Sequence, residues 1–349
     1  MNTACHQEVF PIATPELQES FGKMTGVKQG SPPFAPAPSR PRAIFEIFRQ
    51  LARYTRSVGP RKARRVVVQA FLRPRPFAAW LQEINDYRDS RRLSESGLHF
   101  FAWRPLRAWL RPGLGFEQRL ALARSHHALI AQTAPAAMLE RLWALQDIRL
   151  GEVHGRSGSV FELWLTRSIY PHEGYLQITI NRADQREGWA PPLARLTFSL
   201  AATADTGGRK ALLIGGLQGG PREVSKTDVV AATRALKGLR PKAAVVLAAQ
   251  AFADCAGCDA ILAVSNTNQL INLRQKRTRL RKLADYDSFW RERGGAPDDW
   301  LGFELPLLAQ DARAERRAIV ETVRQALAPT RPSERDERAS LVLAGGAQP

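Results

Sequence analysis

The sequence predicts an α+β (α/β) fold: a helical N-terminal region followed by a mixed, mainly antiparallel sheet with one crossover helix. Three observations carry this. Apolar residues recur at helical spacing from Arg42 to about Leu145, and from about Ile148 they alternate with period two. Two continuous apolar runs, Ala211–Ile214 and Ala260–Val264, then bracket a long helical stretch. Strand, crossover helix and strand in that order mark a parallel pair.

Each element follows in turn. Residues 1–40 end in a proline-dense run, which prevents helix and sheet ladders and predicts a disordered leader. Ile44, Ile47, Phe48 and Leu51 share one helix face, with Arg49, Arg53 and Arg56 on another. A second basic helix follows Gly59-Pro60, with Arg61, Lys62, Arg64 and Arg65 ahead of Val66–Leu72. Further helices are predicted over Phe77–Arg88, Phe116–Gln132 and Pro135–Leu145. Half-buried antiparallel strands are predicted around Phe161–Thr166, Leu176–Asn181 and Leu196–Leu200, with turns near His172–Gly174 and Asp184–Gly188. The helical stretch from Thr227 to Ala256 breaks at Gly238–Pro241. An edge strand over Phe303–Leu308 and a helix over Ala312–Leu327 complete the sheet region. The domain reading is therefore 1–40 disordered leader, 41–147 basic helical region, 148–328 mixed α/β domain and 329–349 disordered tail.

The 349 residues carry a formal net charge of +18, 44% hydrophobic and 24% charged side chains. This globular composition excludes a wholly disordered chain, a collagen-like repeat and a disulfide-dense scaffold. The charge is unevenly placed: residues 40–125 carry a net +13, residues 274–282 carry +6, and the rest is close to neutral. Basic segments of this kind favour phosphates, nucleic acid or an anionic membrane surface, although a solvated charged surface has the same composition. Three cysteines imply no disulfide framework. The N-terminus lacks the basic and apolar regions of a signal peptide. The longest uncharged apolar stretch, Ala243–Ala253, is shorter than the roughly 20 residues a spanning helix needs. A cytoplasmic protein without a transmembrane segment is expected.

Several segments are weighed for chemistry. Gly215, Gly216, Gln218, Gly219 and Gly220 leave the first buried strand, where glycines would let backbone amides approach a pyrophosphate; a tight or bulged strand exit would need the same residues. Ser265 and Asn266 follow the second buried strand and would face the same crevice, or simply cap the next helix. Cys255 and Cys258 end a helix, where the dipole disfavours a thiolate, so they read as inert thiols. His126 and His127 point apart on a helix, which disfavours a metal site there, and no metal ligand set is expected. His154 and Glu162 are candidate bases and Tyr286 a candidate acid; each also reads as an ordinary surface or anchoring side chain.

The segments LLIGGLQGG (212–220), GLRPKA (238–243), ILAVSN (261–266) and YDSFW (286–290), in this order, resemble the VirK/YbjX family of bacterial proteins over roughly residues 42–328. Thr267–Leu270 departs from the histidine and aromatic often found at that place in the family. The resemblance implies a bacterial cytoplasmic protein linked to virulence-gene expression and antimicrobial-peptide resistance, without an established reaction. The order of elements is similar to that of GNAT acyltransferases. That similarity implies acyl-CoA held at Gly215–Gly220 and Asn266, with the acylated amine in the envelope or on a protein. The alternative is a non-enzymatic regulator binding nucleic acid or a membrane surface through residues 40–125 and 274–282.

Overall fold

The computed structural model describes residues 45, 48–49, 51–56, 59–91, 95–183, 191–270, 285–307 and 314–328. The leader, the tail, the basic run 274–282 and the turn at 184–188 lie outside them. After the helical residues 51–56 come α1 (Pro60–Leu72), α2 (Pro74–Arg91), α3 (Glu95–Trp103), α4 (Phe116–Thr133) and α5 (Ala136–Trp143). Proline opens α1 and α2, as suits a first turn whose N–H has no helical partner. α2 starts ahead of the predicted Phe77. α3 was not predicted: only nine residues long, it gives too little periodicity to stand out.

The sheet holds β1 (Ile148–His154), β2 (Val160–Arg167), β3 (Leu176–Arg182), β4 (Ala194–Ala201), β5 (Ala211–Gly219), β6 (Ala260–Val264), β7 (Ala296–Pro297) and β8 (Gly302–Leu305). The spatial order is β1-β2-β3-β4-β5-β6-β8-β7. Every pairing is antiparallel except β5 with β6, the parallel pair predicted from the two apolar runs. Two helices, α6 (Lys226–Ala235) and α7 (Pro241–Cys255), fill the crossover and are separated at the predicted break. α8 (Tyr286–Glu292) and α9 (Ala314–Leu327) follow β6 and β8 respectively. The expected edge strand is shorter than predicted and is not the edge, because two-residue β7 pairs outside β8.

Alternation along β4 sets the layers. Phe198 packs edge-on against Phe252 of α7, with ring centroids 5.1 Å apart. Ser199, one residue on, points the other way, and its Oγ accepts the Tyr175 N–H. α7 covers β3–β6 and α9 covers β1. On the second face Tyr175 stacks on His126 of α4, 4.6 Å between centroids, so the helical region covers that side. His126 and His127 are buried there, and burial pushes both imidazoles well down, His127 to about 3. The sequence predicted β3 and β4 half-buried; both are buried almost throughout. Their alternate residues Gln177, Thr179, Asn181, Arg195, Thr197 and Ser199 are polar, so the second face places a buried polar patch beside the helical region.

No helix among the described residues is long and apolar enough to cross a membrane.

Candidate functional site at the splay of two parallel strands

β5 and β6 pair from Ala211 and Ala260 only as far as Ile214 and Ala263. Past that point β5 runs on through Gly215–Gly219 paired with β4 but no longer with β6. A bulge at Gly215 marks the change, because Thr197 pairs with Gly216 while Phe198 pairs with Ile214. The glycine segment is therefore strand rather than the predicted loop. The reason is close packing: the turn between β2 and β3 lies directly on it. A Cβ on Gly215 would come within 1.7 Å of the Glu173 carbonyl oxygen, and one on Gly220 within 2.6 Å of Val224 Cβ. Gly219 alone of the four keeps room, its nearest neighbour being Lys242 Cε at 3.7 Å.

That turn carries the residue that sequence reasoning missed, Glu173. Its backbone N–H donates to Tyr170, and the Leu110 N–H of the helical region donates to the neighbouring His172 carbonyl. Gly174 lets the turn press against β4, since a Cβ there would meet the Phe198 carbonyl at 2.7 Å. Glu173 is 2% exposed. Its Oε1 accepts from Gln218 Nε2 at 2.8 Å, and His172 Nε2 lies 3.9 Å away. Burial pushes its carboxyl up to about 7, against the opposing pull of Gln218, Thr197 and Arg195.

Tyr286 closes the other side of the splay. It is buried, and its hydroxyl accepts from the Leu217 N–H at 3.1 Å and from Gln269 Nε2 at 2.9 Å. The hydroxyl thus occupies a backbone donor that β6 no longer reaches. Burial, then the Glu173 charge, push its pKa upward. Asn266 holds Tyr286 in place. Its Oδ1 accepts the Tyr286 N–H, its Nδ2 donates to Asp285, and its own N–H donates to Asp287. Asp285 caps α8, its side chain accepting from the Ser288 N–H. Ser265 Oγ accepts from the Asn268 N–H, forming a local turn.

The structure therefore brings Gly215, Gly216, Gln218, Gly219, Ser265, Asn266 and Tyr286 to one region. It does not bring Glu162 or His154 there. Glu162 is on β2, three strand spacings from β5 with β3 and β4 between, or roughly 14 Å at normal strand spacing. Its carboxylate pairs with Arg149 at 2.8 Å and accepts from Trp164. His154 ends β1 with 74% of its side chain exposed. Lys242, in the first turn of α7, lies beside Gly219, and burial lowers its pKa. Arg240 at the cap of the same helix is 3.7 Å from Glu292. The free N–H groups of the helix and these two cations make an electropositive end.

Among the described residues no three His, Cys, Asp or Glu side chains are grouped to hold a metal ion. Cys255 and Cys258 are free, and burial pushes both thiols up, Cys258 to about 11.

A family model described as a protein of unknown function (DUF535) matches residues 59–322. The uncharacterized protein YbjX of Escherichia coli is 30% identical over 296 residues, spanning 82% of this chain and 86% of that protein. No solved structure matches.

Proposed function

The chain belongs to the DUF535 family of VirK/YbjX-like bacterial proteins, and from that premise we propose that it is an acyl-CoA-dependent amine acyltransferase of GNAT-like arrangement. The observation that carries this reading is the buried Glu173 carboxyl at the point where β5 leaves β6, facing a buried tyrosine hydroxyl across residues 216–218. A carboxyl raised to about 7 suits a base that takes a proton near neutral pH.

The residues present fit the anionic cofactor. Arg240, Lys242 and the first turn of α7 would hold its phosphates, with Gly219 giving the open approach. When bound, acyl-CoA supplies the acyl group as a thioester. Glu173 accepts the proton of the acceptor amine at its carboxylate. Tyr286 holds a proton at its hydroxyl for a departing thiolate. Leu217 and Gln269 keep that hydroxyl oriented. Asn266 acts on Tyr286 from behind. In this reading Glu173 takes the part that the sequence suggested for Glu162 or His154. The acceptor would be an amine of the envelope or of a protein, where the family's implied link to virulence and antimicrobial-peptide resistance belongs.

A thermal-shift titration with acyl-CoAs tests it. Binding raises the melting temperature by mass action. Glu173→Gln should keep the shift and lose transfer. No shift across chain lengths from acetyl to palmitoyl would sink the reading.

One patch favours an additional role at an anionic membrane surface. Phe48, Phe71 and Leu72 are 55%, 51% and 68% exposed, on helices that also expose Arg56, Arg61 and Arg64. Sedimentation with anionic but not zwitterionic vesicles is the expected result; equal sedimentation with both removes the charge component.

A further inference from the structure

The second face of β3–β5 carries more polar chemistry than proton transfer at Glu173 uses. Thr179 of β3, Arg195 of β4 and Gln218 of β5 stand directly opposite one another in register, and so do Gln177, Thr197 and Gly216. Opposite residues on neighbouring strands place their side chains on one face. Gln177 and Arg195 are each 6% exposed, and Thr197 is fully buried. Gln177 Oε1, Arg195 Nε and Glu173 Oε2 are buried there with no hydrogen-bond partner. Arg195 makes no ion pair with any described residue. Its guanidinium rests 5.7 Å from the centre of the Tyr170 ring, an attraction that leaves its N–H donors free.

Unmade hydrogen bonds of buried groups cost stability, and a buried guanidinium held in no ion pair costs more; the Glu173 carboxylate attracts Arg195 without pairing with it. Here an acceptor, a donor and a carboxylate oxygen left in this state share one face, next to the proposed base. A ligand carrying the complementary groups would supply all three partners. Arg195 and Gly216, above which the Glu173 carboxylate sits, are diagonal neighbours on adjacent strands, about 7–8 Å apart. A linker of about two or three carbons between an amine and an anionic group bridges that span.

We propose that this face is the acceptor subsite, and that it selects a small primary amine bearing its own anionic group, the amine at Glu173 and the anion at Arg195. A guanidinium fork recognises carboxylate and phosphate alike, so the shared chemistry is an anion close to an amine. The role of Glu173 rests on the acyl-transfer reading; the selectivity of Arg195 does not.

Calorimetric titration of the full chain with ethanolamine, β-alanine and O-phosphoethanolamine tests this. Both anionic amines should bind at least about tenfold more tightly than ethanolamine, and the tighter of the two identifies carboxylate or phosphate as the partner. Arg195→Gln should bring the three affinities to within about twofold, and Arg195→Lys should retain part of the preference. Inorganic phosphate gives a check without a variant: it should weaken the anionic amines and leave ethanolamine unaffected. Equal affinity for all three amines, or a preference that survives in folded Arg195→Gln, overturns the proposal. Acyl-CoA is titrated separately. An acyl-CoA shift without amine selectivity removes the subsite alone, and amine selectivity without an acyl-CoA shift removes the acyl-transfer reading alone.

Discussion

The carboxylate of Glu173 occupies the space that a side chain at Gly216 would fill: a Cβ there would lie 2.1 Å from Glu173 Oε2. At Gly215 the obstacle is the Glu173 backbone carbonyl, which cannot rotate away as a side chain can. Gly216→Ala is therefore expected to destabilise by about 1–3 kcal/mol, the usual cost of overpacking, and Glu173→Ala in the same chain should recover part of it. Gly215→Ala should cost at least as much and gain nothing from Glu173→Ala. Gly219→Ala, with open space toward Lys242, should stay within about 0.5 kcal/mol of wild type. Urea unfolding of these single and double variants checks the pattern, and equal losses at 215 and 219 would contradict it.

The raised carboxyl of Glu173 makes stability depend on pH with a definite sign. Its folded value of about 7 stands above the ordinary 4.5, so the folded state holds the proton more tightly than the unfolded chain. The penalty is absent below 4.5, grows as pH rises toward 7 and is constant above it. Its full size is on the order of 3 kcal/mol. Glu173→Gln lacks this titration. Relative to wild type, the Gln variant should gain stability between pH 5 and pH 8. Urea midpoints at both pH values measure the difference, and a constant gap between the two proteins would show that the carboxyl is not strained. Transfer should rise through about pH 7 in wild type, because the base works deprotonated.

The fold was legible wherever burial followed local pattern. Ala211–Ile214 and Ala260–Val264 read as buried strands because both faces of each are apolar, and as a parallel pair because a helical stretch lies between them. The site was half legible. Asn266 and Gln218 stood out by their place after buried strands, and Tyr286 as a candidate acid in the YDSFW segment. Glu173 did not, because a glutamate between His172 and Gly174 looks like any solvated turn. Only the helical region, through Leu110 and His172, presses that turn onto β5. For the same reason Gly215 and Gly216 read as a phosphate loop: sequence shows that space is needed there, not whether a ligand or another turn fills it. Arg195 had a partial signal, a charge at a strand position where its neighbours are apolar.

Arg104 gives a prediction in the helical region. It is 1% exposed, and all three guanidinium nitrogens are buried without a hydrogen-bond partner. It is held by the faces of Phe100 and Tyr175, at 4.7 and 5.0 Å. Burial drops its pKa to about 10. Replacing an uncompensated buried charge with an apolar chain of similar length removes its desolvation cost, so Arg104→Met should stabilise by about 1–3 kcal/mol. A loss of stability in thermal and urea unfolding would mean that the ring contacts outweigh the desolvation.

Tyr286 and Asn266 separate the two roles that the residues after β6 can have. Tyr286→Phe removes the acceptor for the Leu217 N–H and for Gln269, so two buried donors lose a partner, at a cost of about 2 kcal/mol. It also removes the proton proposed for the leaving sulfur, so kcat should fall while acyl-CoA binding stays. Asn266→Ala leaves that hydroxyl in place but removes the grip on the Tyr286 N–H and on Asp285. A smaller stability loss, about 1 kcal/mol, and a partial fall in kcat are expected, again with binding preserved. Thermal shift with acyl-CoA, measured beside single-turnover rates, reads both. If Asn266→Ala abolishes the shift while Tyr286→Phe keeps it, Asn266 holds the ligand itself, and its bonds to α8 are secondary.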